Sequence, residues 1–194
     1  MLKKTVYVLA VLALTVCVAL SQDKGKGGGG APKAPGMALS SPDFQDGGII
    51  PDKFTQVAQN APSPKLEWTN VPPATQSFVL IFHDPDNALN KMPEDVLHWM
   101  VFNIPGTARG LEGNQPMTAQ LPDGTIQAKG IRQVGYMGPG NAAINPYHHY
   151  TFELYALDSK LTLGQEATRP EVLKAMEGHI VGKAVLGGRF KRPQ

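Results

Sequence analysis

The sequence predicts a mainly β domain, a sandwich or barrel-like fold with a few peripheral helices. Two apolar runs of strand length, residues 78–82 and 99–104, are bounded by Pro, Asp and Gly, and residues 151–157 alternate with period two. Prolines are spread through the stretches between such runs, where they oppose helix. A helix-start signal with a helical period behind it occurs once, after Thr168.

Residues 1–21 read as a secretory signal peptide. Lys3 and Lys4 precede an apolar run over residues 6–20, and Ala19-Leu20-Ser21 places small residues where a signal peptidase reads. The run is short of the ~20 apolar residues a membrane span needs. Cys17 raises a lipoprotein alternative, but Val16 is bulky where a small residue is wanted, and the apolar run continues past the cysteine. The expected location is therefore outside the cytoplasm, periplasmic or extracellular. Residues 22–36 hold four consecutive glycines from Gly27, with Pro32 and Pro35, and no apolar residue larger than alanine, so they read as a flexible Gly/Pro-rich linker.

Residues 37–194 are one domain's worth of chain, long enough for a sizeable core. Cys17 is the only cysteine, so a chain processed after Ser21 has no disulfide, no thiol nucleophile and no cysteine-ligated zinc. Five of the 18 Lys and Arg and one of the 16 Asp and Glu precede Met37, leaving 13 against 15. A domain near −2 carries no electrostatic footprint for nucleic acid. Arg189, Lys191 and Arg192 read as a solvated end.

Within the domain, residues 37–50, which contain Pro42, Gly47 and Gly48, read as short strands joined by a turn. Prolines 62, 64, 72 and 73 make residues 59–73 extended and turn-rich, with one short strand at residues 66–69. Trp68 and Trp99 flank apolar runs and are expected in the core. A helical turn is expected at residues 93–97, between the two apolar runs, and a long surface loop at residues 106–127. Thr168-Arg169-Pro170-Glu171 has capping-box spacing. Val172, Leu173, Met176 and Ile180 then share a helical face, and the helix ends at Gly178 or near Val181. Residues 183–190 read as the last strand.

The chemistry gathers at strand ends. Asp84-Pro85-Asp86 terminates the first run and His98 opens the second. The glycine loop Gly138-Pro139-Gly140 leads to His148-His149-Tyr150 before the next strand. If these converge, glycine N–H groups and imidazoles meet a carboxylate. Turn N–H dipoles favour anions, and a histidine beside Asp84 favours its protonated form, so the ligand would be phosphate or carboxylate. The bland alternative is that the aspartates cap a turn and the glycines shape one. His83, Asp84, Asp86, His98, His148 and His149 match no metal-site spacing. The glycine loop is no dinucleotide or P-loop fingerprint, and no Gly-x-Ser-x-Gly elbow is present. Asp84 with Asp86 as an acid–base pair for glycoside cleavage is generic.

The ordered set Asp84-Pro85-Asp86, His98-Trp99-Met100-Val101-Phe102-Asn103-Ile104-Pro105, Gly135-Tyr136-x-Gly138-Pro139 and His148-His149-Tyr150-x-Phe152 resembles the phosphatidylethanolamine-binding protein (PEBP) family, and within it the bacterial Raf-kinase-inhibitor-like branch. Ser40-Ser41-Pro42, Ser63-Pro64-x-Leu66-x-Trp68 and Leu186-Gly187-Gly188-Arg189-Phe190 extend the resemblance over residues 37–192. It implies a β-sandwich with one small anion pocket, lined by Asp84 and His98 on one wall and by Gly138, Gly140 and His148 on the other, with Tyr150 nearby. No cofactor and no metal are expected. Asn87-Ala88 and Asn141-Ala142 depart from the family's usual prolines at the pocket mouth, and Val96 replaces a common aromatic.

The expected function is an exported, non-enzymatic binding protein for a small anion such as phosphate or a phospholipid head group. The alternatives are an inhibitory or regulatory protein-interaction module of the protease- or kinase-inhibitor type, and a hydrolase using Asp84 with His98 or His148. A protein partner or a homodimer is left open.

Overall fold

A computed structural model describes residues 35–194. The expected signal peptide, Cys17 and nearly all of the linker lie outside the described residues.

The fold is mainly β. Nine strands run β1 (Ala38–Ser40), β2 (Gly48–Ile49), β3 (Leu66–Thr69), β4 (Ser77–Asp84), β5 (Val96–Pro105), β6 (Gly110–Leu111), β7 (Ile126–Ala128), β8 (His148–Leu157) and β9 (Ile180–Phe190). They form a six-stranded sheet ordered β2-β9-β8-β4-β5-β7 and a three-stranded sheet ordered β1-β3-β6. The α-helix among the described residues is α1 (Arg169–Met176).

β4 lies between β5 and β8, antiparallel to both, and all eight of its residues are buried. A strand buried on both faces reads as a continuous apolar run, which is what residues 78–82 show. Its side chains alternate between two cores. Phe78, Leu80 and Phe82 point into the interior between the sheets, with Trp68, Phe152 and Leu154. Val79 and Ile81 point the other way, into a core shared with Val172 and Met176 of α1. Full burial of side chains this size stabilises by roughly 1.5–3 kcal/mol each, so β4 belongs to both halves of the structure.

The pairing of β4 with β5 is irregular where it matters. Phe82 faces Trp99 but His83 faces Leu97, which leaves His98 as an extra residue on β5. Such a bulge breaks the period-two alternation and re-aims a side chain. Here two consecutive residues serve one face: Trp99 enters the inter-sheet core, and His98 contacts the ring of Phe82 at 5.4 Å.

Several expectations need correction. The helical turn is not at residues 93–97: a short 3-10 turn occupies Leu89–Lys91, and Val96 already opens β5, because Val96 pairs with Asp84. The helix after Thr168 stops at Met176. Gly178 takes φ +80 and turns the chain, so Ile180 starts β9 rather than ending a helical face. The capping box is present, with Glu171 accepting from the Thr168 N–H at 2.7 Å. Val172 and Met176 are buried, but Leu173 is exposed. Residues 106–127 are not one loop: β6 and the start of β7 interrupt them. The short strands expected in residues 37–50 are present and lie in different sheets. β1 joins β3 and β2 joins β9, so the intervening turn crosses from one sheet to the other. Among the described residues, the "few" helices reduce to α1 with 3-10 turns at Asp52–Phe54 and Leu89–Lys91.

Candidate functional site

The end of β4, the bulge of β5 and the start of β8 bring Asp84, His98, His148 and Tyr150 onto one cavity of about 460 Å³. Gly140 borders it as well. Gly138 borders a neighbouring hollow instead.

Asp84 is the organiser. Its side chain is only 3% exposed. Oδ1 accepts the N–H of Asp86 at 3.1 Å, which closes the Asp-Pro-Asp turn, and Oδ2 accepts Nδ1 of His148 at 2.9 Å. The His148 ring is thereby oriented, with Nε2 left over. The Tyr150 hydroxyl also faces Asp84. Burial, and then the Asp84 charge, push the Tyr150 hydroxyl far above its ordinary pKa, against a smaller pull from the N–H groups of Gly140 and Asn141. Tyr150 is therefore a neutral donor at any working pH.

His98 is held differently. Its Nδ1 lies 2.9 Å from the carbonyl of Met137. A carbonyl only accepts, so Nδ1 carries the proton and Nε2 is the nitrogen left for the cavity. Burial lowers its pKa, opposed by the Met137 carbonyl and Asp84. The ring is neutral near pH 7, and Nε2 then offers a lone pair. Phe82 and the edge-on ring of Tyr150, 5.3 Å away at 86°, fix the imidazole plane.

The other candidates separate from this group. His149 donates both its backbone N–H and Nδ1 to Asp86, at 2.6 and 2.8 Å, and both side chains are exposed. The backbone N–H of His149 is the main reason the Asp86 carboxyl sits below its usual range. This pair ties the turn to β8 outside the cavity. His83 is adjacent to Asp84 in sequence but emerges on the opposite face of β4. There it bonds Asp95 at 2.6 Å, and Arg169 of α1 closes on the same carboxylate. Among the described residues, no group of three or more His, Asp or Glu is gathered to hold a metal ion.

Sequence reasoning missed Gln56. Its side-chain amide donates to the Gly138 carbonyl at 2.9 Å and its N–H to the Pro139 carbonyl at 2.8 Å. The glycines answer to this contact. A Cβ on Gly138 would sit 2.5 Å from the Phe54 carbonyl oxygen and 2.8 Å from the Thr55 Cα, both backbone atoms. On Gly140 it would meet the movable amide of Gln56. Gly138→Ala is therefore expected to cost about 1–3 kcal/mol of stability. Gly140→Ala should cost less than half of that, and chemical denaturation of the two variants checks the difference. The only signal in the sequence was Gln56 itself, more than eighty residues from its partners and in no motif.

The sequence model described as Phosphatidylethanolamine-binding protein matches residues 40–191. The chain belongs to the phosphatidylethanolamine-binding protein family. A UPF0098 protein of Methanothermobacter thermautotrophicus is 42% identical over 158 residues, covering 80% of this chain and 99% of that protein. A UPF0098 protein of Aquifex aeolicus is 33% identical over 157 residues, covering 80% and 89%. The crystal structure of a putative PEBP homolog from Chlamydia trachomatis, 29% identical, superposes with a TM-score of 0.70 over 81% of this chain and 99% of that one. Escherichia coli YbcL, a PEBP-family structure at 22% identity, shares the fold with a TM-score of 0.69 over 82% and 100%. The resemblance read from the motifs is thus the family of the chain, and the bacterial PEBP homologs are its structural neighbours.

Proposed function

We propose that this PEBP-family chain is an exported binding protein without turnover, holding a small anion such as phosphate or a phosphate-ester head group between His98, His148, Tyr150 and Gly140. One observation carries the reading. Two imidazoles border one cavity with both Nδ1 atoms already committed, one to Asp84 and one to the Met137 carbonyl. Each is left with a single nitrogen for a ligand. The Tyr150 hydroxyl, neutral by burial, adds a donor, and Arg132 brings a cation to the rim. The family's name supports a phosphate ester as the ligand class. Export rests on the Lys3-Lys4 start and the apolar run over residues 6–20. Mass spectrometry of the exported protein is expected to find Gln22 at its N-terminus.

Because burial lowers the His98 pKa, anion binding is coupled to a proton. Nε2 must gain one, or the phosphate must bring one, so affinity rises as pH falls through 7 to 6, by up to about tenfold per unit for one proton. Stability of the free protein moves oppositely. The folded pKa lies below the unfolded value of about 6.5, so the full contribution is present above that pH and is lost as pH falls toward the folded value. Titration with phosphate and with phosphoethanolamine, followed by histidine NMR at pH 7.5 and 6.0, is expected to shift His98 and His148 together and saturably. Silence of both rings would sink the reading. Phosphate released from phosphoethanolamine, and lost in His98→Ala, would mark a hydrolase instead.

A further inference from the structure

Beside the anion cavity lies a second hollow, also about 460 Å³, and Gln56, Arg132 and Met137 form walls of both. We propose that the two are compartments of one cleft, and that its ligand is an anion at the end of a peptide-like chain, the anion in the first compartment and the adjoining amide units in the second. This rests on the anion reading above and names the ligand class for it.

The second compartment is built rather than incidental. Its floor is Tyr136, buried, whose hydroxyl donates to the Phe54 carbonyl at 2.8 Å. Two wall segments are pinned together, with the Asn114 N–H on the Ser63 carbonyl at 2.9 Å and the Gln115 N–H on the Ser63 hydroxyl at 3.0 Å. Its polar lining includes four carboxamides, Asn60, Asn114, Gln133 and Gln56, beside Ser63 and Arg132. Gln133 is held by its own bond to the Tyr136 carbonyl at 2.7 Å. Asn60 and Asn114 are exposed at the edge of the compartment, and both hold left-handed backbone, φ 54 and φ 59. A primary amide carries a donor and an acceptor on one plane, the complement of a peptide unit. A peptide unit laid across them exchanges water for amide partners, whereas an acyl tail offers them none. Met117 and Met137 supply adaptable apolar contact for small side chains. Arg132, exposed and bordering both compartments, marks where the anion ends and the chain begins.

The test is an affinity ladder on the purified protein, read by NMR titration, using acetate, N-acetylalanine, N-acetylalanylalanine and hexanoate, with inorganic phosphate as the reference anion. Affinity is expected to rise about tenfold from acetate to N-acetylalanylalanine, and hexanoate to stay near acetate. In the double variant Asn60→Gly, Asn114→Gly, which keeps the left-handed backbone accessible and deletes both amides, the gain should fall to within about twofold of acetate. Phosphate affinity in that variant should be unchanged, which also reports that it is folded. A flat ladder, a gain for hexanoate equal to that for the dipeptide, or a dipeptide gain surviving in the variant each overturns the cleft while leaving the anion site standing. If neither phosphate nor any carboxylate binds the wild type, the anion reading falls and takes this one with it.

Discussion

Phe82→Ala is expected to lower the unfolding free energy by about 3–5 kcal/mol, the upper range for a core truncation. The ring is fully buried and stacks on Phe152 at 3.9 Å and 10°. Tyr136 lies parallel at 5.5 Å, and His98 and Tyr150 tilt against it at 5.4 and 6.1 Å. These aromatic neighbours are anchored on β5, on β8 and in the loop that carries Tyr136, so the void has little freedom to collapse. Two of those neighbours belong to the site, and the loss should extend to ligand binding. Phe82→Leu refills part of the volume and should recover at least half of the stability. Urea unfolding of both variants measures this, and a loss below about 1 kcal/mol for Phe82→Ala would show that the packing is not centred on this ring.

Asp84→Asn is expected to weaken phosphate binding about thirtyfold or more, corresponding to about 2 kcal/mol. Simple electrostatics predicts the reverse, because the change removes a negative charge beside a bound anion. The geometry decides against that. Both carboxylate oxygens already accept, from the Asp86 N–H and from Nδ1 of His148. Asparagine has one acceptor oxygen and an amide that donates, so one of those donors loses its partner in a buried place. Either the turn opens or the His148 ring is released. Asp86→Asn is the control: its partner His149 is exposed, and exposed pairs contribute about 0–1 kcal/mol. Isothermal titration with phosphate, for both variants at one ionic strength, separates orientation from charge. Tighter phosphate binding by Asp84→Asn would mean that Asp84 acts only through its charge.

The long strands were legible because burial on both faces leaves an apolar run, and β4 shows such a run at residues 78–82. Trp68 and Trp99 were placed in the core for the same reason, and both are buried. The approach of Asp84, His98 and His148 could be expected from strand ends, and the family resemblance supplied their convergence. The bulge at His98 was encoded more quietly, as two consecutive inward side chains where alternation demands one. Gln56 was not legible, because its importance lies in contacts with a loop more than eighty residues away. Ile180 shows the opposite failure. It fits the helical period of Val172 and Met176, yet tertiary pairing with Leu157 claims it for β9. The sequence singled out Gly138 and Gly140 as N–H donors for a ligand; the close approach of the segment Phe54 to Gln56, which leaves no room for a side chain, was not legible.

The pairing of β4 with β8 also sets an order of assembly. Phe82 lies opposite Phe152, seventy positions later in the chain, and β8 in turn is flanked by β9. A polypeptide that has emerged only as far as the glycine loop owns β4 and β5 but neither β8 nor β9. It cannot close the sheet, and its β4, Ser-Phe-Val-Leu-Ile-Phe-His-Asp, keeps one hydrogen-bonding edge free. Such late closure slows folding. During that interval an unpaired apolar strand recruits any other extended chain within reach. A protein laid out this way stays threadable until its last fifty residues arrive, and in that window it depends on being bound, or on being alone.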